Sequence, residues 1–295
     1  MSDVRLTFNS MPSIVAVYPK MFMGSKPSLV PDGASVPIIE ARMDIVSTRP
    51  DKIVAYNKVC GFKDSDYLPI TYPHVLATPL HLQILSHEAF PARAMGMVHI
   101  ENTITRYGSI PNQEILSIRC FIEGHKETDV GQLFAMNTVV STRDSVVWEE
   151  VSTLLARRRG ARKSGPTREK TGDTVADFDQ PGTTSSGWNA TAGIGRQYAM
   201  VSGDFNPIHL SSPTARLLGF RAAIAHGMWS LARSLAEIGE ASLGPQVRVS
   251  SNFKTPILLP AWVTFLSRSS EQGTHFLLAD HAGQKPHLGG LCEKL

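Results

Sequence analysis

Cysteine is scarce in this chain: three residues in 295, Cys60, Cys120 and Cys292, lying far apart with no CxxC pair. That excludes a disulfide scaffold and a thiolate zinc site built from local spacing, and it suits a reducing cytoplasm, the expected compartment. An excess of one charge is lacking too. Twenty-nine Lys and Arg face 26 acidic residues, a net charge of +3, so the chain as a whole is no polyanion binder. Long apolar runs are missing as well. The longest charge-free stretch, residues 67–87, carries Pro69, Pro73 and Pro79 with His74, His81 and His87, which a lipid-exposed helix tolerates badly. Asp3 and Arg5 flank no apolar block long enough for a secretory signal. A soluble protein without a membrane partner is expected.

What is present is enough for a core. Hydrophobic residues make up 42% of the chain, and 295 residues leave room for two modules of about 150 each. The composition shifts at 157–187, rich in glycine, proline, hydroxyls and charge, which reads as a surface linker between a domain at 1–156 and another at 188–295. Its basic part, residues 157–170, holds seven Lys and Arg against Glu169, a net of +6. The run is a solvated connector or a patch for an acidic partner such as a carrier protein or the phosphates of coenzyme A. No aromatic residues interleave with it, so no nucleic-acid partner is expected.

Residues 97–107, 114–123, 131–142 and 145–155 are rich in β-branched and aromatic residues. Turn formers at Gly108, Pro111, Asn112, Gly124 and Asp144 separate them, as in an antiparallel meander. Before them, residues 79–90 place Leu80, Ile84, Leu85 and Ala89 at helical spacing with Pro79 at a plausible first position. After the linker the order recurs. A short helix is expected over 191–201 with Thr191 as N-cap, then a turn-rich loop and a longer helix over 227–240 with Met228, Leu231, Leu235 and Ile238 on one face. Strands follow at 246–254, 261–269 and 275–280. Helix then sheet, twice, describes an α+β chain of two similar modules.

The densest polar cluster is Ser202-Gly203-Asp204-Phe205-Asn206-Pro207-Ile208-His209. A turn containing Pro207 can aim Asp204 and His209 at one point, and a carboxylate beside an imidazole can hold a water while protons move. By themselves an Asp and a His in a turn are more often a local hydrogen-bonded pair. Gly203 allows backbone angles that other residues resist, and Asn206 before Pro207 reads as the residue that locks the turn. Further on, Ala225-His226-Gly227-Met228 opens the long helix. There Gly227 could offer a backbone N–H to a carbonyl oxygen, while His226 alone reads as structural. The histidines lack metal-ligand spacing, and Gly193-Ile194-Gly195 lacks the third glycine of a dinucleotide fingerprint, so neither metal nor cofactor is expected.

These residues carry a resemblance. The ungapped run from Tyr198 to His209, with Ala215 and Ile224-Ala225-His226-Gly227-Met228 beyond, is similar to the signature of MaoC-like R-specific enoyl-CoA hydratases. The first half resembles the amino-terminal half of double-hotdog 3-hydroxyacyl-thioester dehydratases through Leu68-Pro69, Thr71-Tyr72-Pro73-His74, Pro79-Leu80-His81, Gly96-Met97-Val98-His99 and Val147-Trp148-Glu149. The resemblance implies two tandem hotdog folds, each a long helix wrapped by a curved antiparallel sheet, pairing like a dimer. It implies reversible hydration of trans-2-enoyl thioesters in fatty acyl metabolism, on coenzyme A or acyl carrier protein. Asp204 and His209 match the catalytic pair and Gly227 the backbone donor, with Ser202, Gly203, Asn206 and His226 in support. Some relatives add a serine in the following helix; neither Ser230 nor Ser234 falls clearly on that position. The first half, degenerate, has no counterpart of the loop. Its His74, His81 and His99 are expected in apolar surroundings without a paired Asp, catalytically silent, in a module widened for a long acyl chain. A non-catalytic thioester-binding subunit and a hotdog thioesterase are the alternatives, and a homodimer of such chains is one allowed assembly.

Overall fold

A computed structural model of the chain describes residues 2–23, 26–158, 160 and 174–295; for Lys20, Phe22 and Met23 it describes the backbone alone. Most of the expected basic run therefore lies outside the described residues. The first half begins with strand β1 (Val4–Phe8), helix α1 (Val17–Met23), β2 (Ile39–Ser47), and helices α2 (Pro50–Cys60) and α3 (Tyr72–Ser86). A meander follows: β3 (Val98–Arg106), β4 (Ile115–Ile122), β5 (Lys126–Thr128), β6 (Gly131–Ser141) and β7 (Val146–Arg157). After a 3-10 turn at Val175–Phe178 come β8 (Thr184–Ala190), α4 (Ile194–Ser202), α5 (Pro207–Leu210), α6 (Ser212–Leu217), α7 (Gly227–Ile238) and α8 (Glu240–Leu243). The second sheet segment is β9 (Val247–Phe253), β10 (Ala261–Ser270), β11 (Gly273–Asp280) and β12 (Pro286–Lys294).

All these strands join one sheet in the order β1-β2-β4-β6-β7-β3-β9-β12-β11-β10-β8, with β5 beside β6. Every neighbouring pair is antiparallel except β1 with β2. The two halves meet at a backbone seam, where β3 pairs with β9 from Glu101 opposite Asn252 to Arg106 opposite Val247. Each half lays a helix against its own sheet: α3 on β2 and β4, α7 on β11 and β12. The alternation of β6 turns Phe134, Met136 and Val140 inward, and α7 buries Met228, Leu231 and Leu235 as its stripe requires. One apolar core runs through both halves, including Ile39, Ile104 and Trp148 from the first and Tyr198, Leu231 and Phe276 from the second. Each such side chain contributes about 1.5–3 kcal/mol of transfer free energy. Across the halves, Trp229 Nε1 donates to the Val59 carbonyl at 3.0 Å, and buried Arg106 meets Glu240 at 2.7 Å.

Four expectations need correction. The first helix spans Tyr72–Ser86, and Pro79 sits inside it rather than at its start. Pro73 occupies the first turn instead, and the helix is buried on several sides, which erases the amphipathic period that would have marked its beginning. Thr191 is not an N-cap: the helix starts at Ile194 with Gly193 at the cap position and no side-chain cap, and Thr191 merely receives the Ile194 N–H on its carbonyl at 3.1 Å. The linker is shorter than 157–187, because β7 runs to Arg157 and residues 184–187 are strand, paired with β10. Polarity there reflects an edge strand, where one side and much of one face meet water. The fourth concerns His74 and is described with the site.

Candidate active site

Helix α4 carries the site's loop, and two glycines fix its course. Gly195 lies so close to α5 that a Cβ would stand 2.0 Å from the His209 carbonyl oxygen. Gly203 ends the helix at φ 78°, left-handed, and gives its N–H to Ala199 O at 2.9 Å. The chain then turns on side-chain bonds. Ser202 Oγ accepts the Asp204 N–H at 3.2 Å, Asp204 Oδ1 accepts the Asn206 N–H at 3.1 Å, and Asn206 Oδ1 caps α5 by accepting the Ile208 N–H at 3.4 Å.

His209, 8% exposed, places Nδ1 2.9 Å from the Ile224 carbonyl oxygen. A carbonyl only accepts, so the ring hydrogen stands on Nδ1 and Nε2 keeps its lone pair. The His226 ring stacks on it at 3.7 Å between centroids; its Nε2 lies 3.0 Å from the Asp204 carbonyl oxygen and 3.7 Å from Asp204 Oδ2. One donor or acceptor atom from each of Asp204, His209 and His226 falls within 4.8 Å of the others. His226, structural when read alone and placed in support by the resemblance, stands within this cluster. With Nε2 donating to that carbonyl, its buried Nδ1 is a bare acceptor, and no partner reaches it among the described residues.

Burial pushes the Asp204 carboxyl up, but His226, His209 and the Asn206 N–H outweigh it and leave the carboxyl below its ordinary range. Burial depresses His209, with Asp204 and the Ile224 carbonyl opposing, and burial together with His209 drives His226 down to about 3. Near neutrality the cluster is one carboxylate and two uncharged imidazoles. Gly227 is the first residue of α7, where a backbone N–H has no partner within the helix. The Phe253 ring lies over it, and a Cβ there would stand 3.0 Å from Phe253 Cε1. Ser230 and Ser234 are buried and turn back to the carbonyls of His226 (3.2 Å) and Ser230 (2.8 Å).

All of this opens into a cavity of about 1210 Å³ that both halves line. Asp204 shows 41% of its side chain there. From the first half comes Tyr18, which sequence reasoning missed: its hydroxyl accepts the Phe205 N–H at 2.7 Å and lies 3.3 Å from Asp204 Oδ1. Nothing local marks Tyr18, because its partners are 186 and 187 residues away. His74 is the fourth correction. It is not in apolar surroundings: Glu150, fully buried, binds its Nδ1 at 2.8 Å. Glu150 was legible in principle, since it falls in phase with inward-facing Trp148 on β7.

Two helix-in-sheet modules joined edge to edge over one cavity define the double-hotdog class. The MaoC like domain matches residues 173–258. The chain is 32% identical over 260 residues, 88% of its own length and 91% of the relative's, to 3-hydroxyacyl-thioester dehydratase X of Mycobacterium tuberculosis. Among solved structures it resembles HtdX of that organism, with a TM-score of 0.75, 31% identity, and coverage of 87% of this chain and 100% of that one. A MaoC-like dehydratase from Phytophthora capsici shares the fold, with a TM-score of 0.67, 16% identity, and coverage of 86% and 95%. The chain belongs to the MaoC-like dehydratase family.

Proposed function

We propose that this hydro-lyase of acyl thioesters interconverts trans-2-enoyl and R-3-hydroxyacyl thioesters at the Asp204–His209 loop. The carrying observation is the convergence of Asp204 and an uncharged His209, its Nε2 lone pair free, on a cavity that also holds the first N–H of α7. One water, held by the carboxylate and by Nε2, gives a proton to Nε2 as its oxygen bonds to C3. The Gly227 N–H carries the negative charge that develops on the thioester oxygen. The imidazolium, stabilised by Asp204, returns its proton to C2 on the same face, so the water O–H bond and the C2=C3 π bond broken are balanced by the C3–O and C2–H bonds formed. Dehydration reverses each step.

Coenzyme A or acyl carrier protein supplies the thioester. The cavity is lined by both halves of one chain, so a single chain suffices for the site, with a homodimer as a further assembly. No helix among the described residues is long and apolar enough to cross a membrane. The test follows loss of enoyl absorbance. Asp204→Asn and His209→Ala should each lower kcat/KM by about 10²- to 10⁴-fold with unchanged circular dichroism. Near wild-type rates in either variant overturn the assignment. Release of free thiol without enoyl loss would mark a thioesterase instead, a class whose fold is shared here by an acyl-ACP thioesterase from Bacteroides thetaiotaomicron at 12% identity and a TM-score of 0.54.

A further inference from the structure

The hydration chemistry leaves unused a buried charged pair on the other wall of the cavity. Glu150 has no exposed side-chain surface, and both its oxygens face His74 Nδ1, at 2.8 and 2.9 Å. Asn102 Nδ2 anchors the carboxylate at 2.7 Å and reaches Ser152 Oγ at 3.1 Å. Burial opposes charge on both partners, yet Glu150 holds the His74 imidazole above its ordinary value, and His74 brings Glu150 down to about 2. With Nδ1–H committed to the carboxylate, the protonated ring that Glu150 favours has one donor left, the Nε2–H. Among the described residues no protein group takes it, and the ring, 15% exposed, lines the cavity.

The position of that donor along the cavity matters. One face of α3 lines it through His74, Thr78, His81, Leu82 and Leu85. At about 1.5 Å per residue this face is about 16 Å long. Its polar end lies near enough to Asp204 for that carboxylate to favour the charged form of His74; its other end is leucine. A plain hydrocarbon chain entering along this face would strip water from an imidazolium and offer nothing in return. An acyl chain with an acceptor oxygen at that level would replace the water.

Resting on the dehydratase reading above, we propose that the His74 Nε2–H donates a hydrogen bond to an oxygen carried on the acyl chain, hydroxyl or carbonyl, between the reacting double bond and an apolar end. The preferred substrates are then oxygenated enoyl thioesters. Glu150 and Asn102 are positioning residues that hold the imidazole.

The experiment compares kcat/KM for two trans-2-enoyl-CoA substrates of equal length, one plain and one bearing a mid-chain hydroxyl or keto group. Wild type should favour the oxygenated substrate by about tenfold or more, the worth of a hydrogen bond from a charged donor. His74→Leu alone would strand the buried Glu150 charge and threaten folding, so His74 and Glu150 are replaced together by leucine, with folding checked by circular dichroism. The preference should then fall to about one, while His74→Gln, which keeps an N–H donor, retains part of it. If the double variant does not fold, the wild-type ratio and His74→Gln decide. Equal use of both substrates by wild type, or a preference that survives loss of His74, overturns this inference and leaves the hydration reading intact. A wild type that hydrates neither substrate overturns both.

Discussion

Tyr18→Phe removes one oxygen atom from the site and leaves the ring in place. The hydroxyl is the acceptor for the Phe205 N–H at 2.7 Å and lies within reach of Asp204 Oδ1 at 3.3 Å, so its loss orphans a loop amide and strips a donor from the carboxylate. The first bond is of normal length and neutral, the second long but to a charge; together they amount to about 1–3 kcal/mol. If the loop meets this cost in reaching the transition state, kcat falls by about 5- to 150-fold. The pH dependence gives a second readout. Tyr18's hydrogen bond lowers the Asp204 carboxyl, so without it the carboxyl titrates at higher pH and the acid limb of the kcat/KM profile moves up. Stopped-flow loss of enoyl absorbance from pH 4 to 8 measures both. A variant with wild-type kcat and an unmoved acid limb would refute the claim that the first half helps set the carboxylate.

Gly195→Ala should cost stability and at least about tenfold in kcat, because its Cβ would collide with the His209 carbonyl and push α5 away from α4; thermal melting and the hydration assay check it. The three thiols are all buried, and burial raises each of them, so the folded chain should resist a thiol-specific chromogenic reagent until denaturant is added. For the His74–Glu150 pair, Glu150 is depressed from 4.5 to about 2, so its contribution is present above 4.5 and lost as pH falls towards 2; His74 is raised from 6.5, so its contribution is complete below 6.5 and fades above. The Tm difference between wild type and Glu150→Gln should therefore peak between about pH 4.5 and 6.5, and a difference flat from pH 3 to 8 would contradict it.

The strands of the first meander were legible to within a residue or two, because β6 and β7 alternate cleanly and turn residues punctuate them. The turn itself was legible too, since Asp204 and Asn206 fold it through side-chain bonds to main-chain N–H groups two residues on. Helix α3 was misplaced because burial on several sides leaves no polar face to give the period. Strand β12 escaped notice behind Gly289 and Gly290, yet a Cβ at Gly290 would meet Phe276 and the Ser250 carbonyl, each at 2.5 Å, so the strand needs the glycine that disguises it. Tyr18 with Asp204, and His74 with Glu150, are meetings of remote segments, and single-chain periodicity carries no record of them.

The pairing of β3 with β9 has a consequence for inheritance. Two identical subunits sharing a cleft must accept every substitution twice, once in each copy. Here the partner that would have been a duplicate is a separate stretch of the same gene, held in register by main-chain bonds that are indifferent to side-chain identity. It is free to carry a pair such as His74 and Glu150 that the other half does not duplicate.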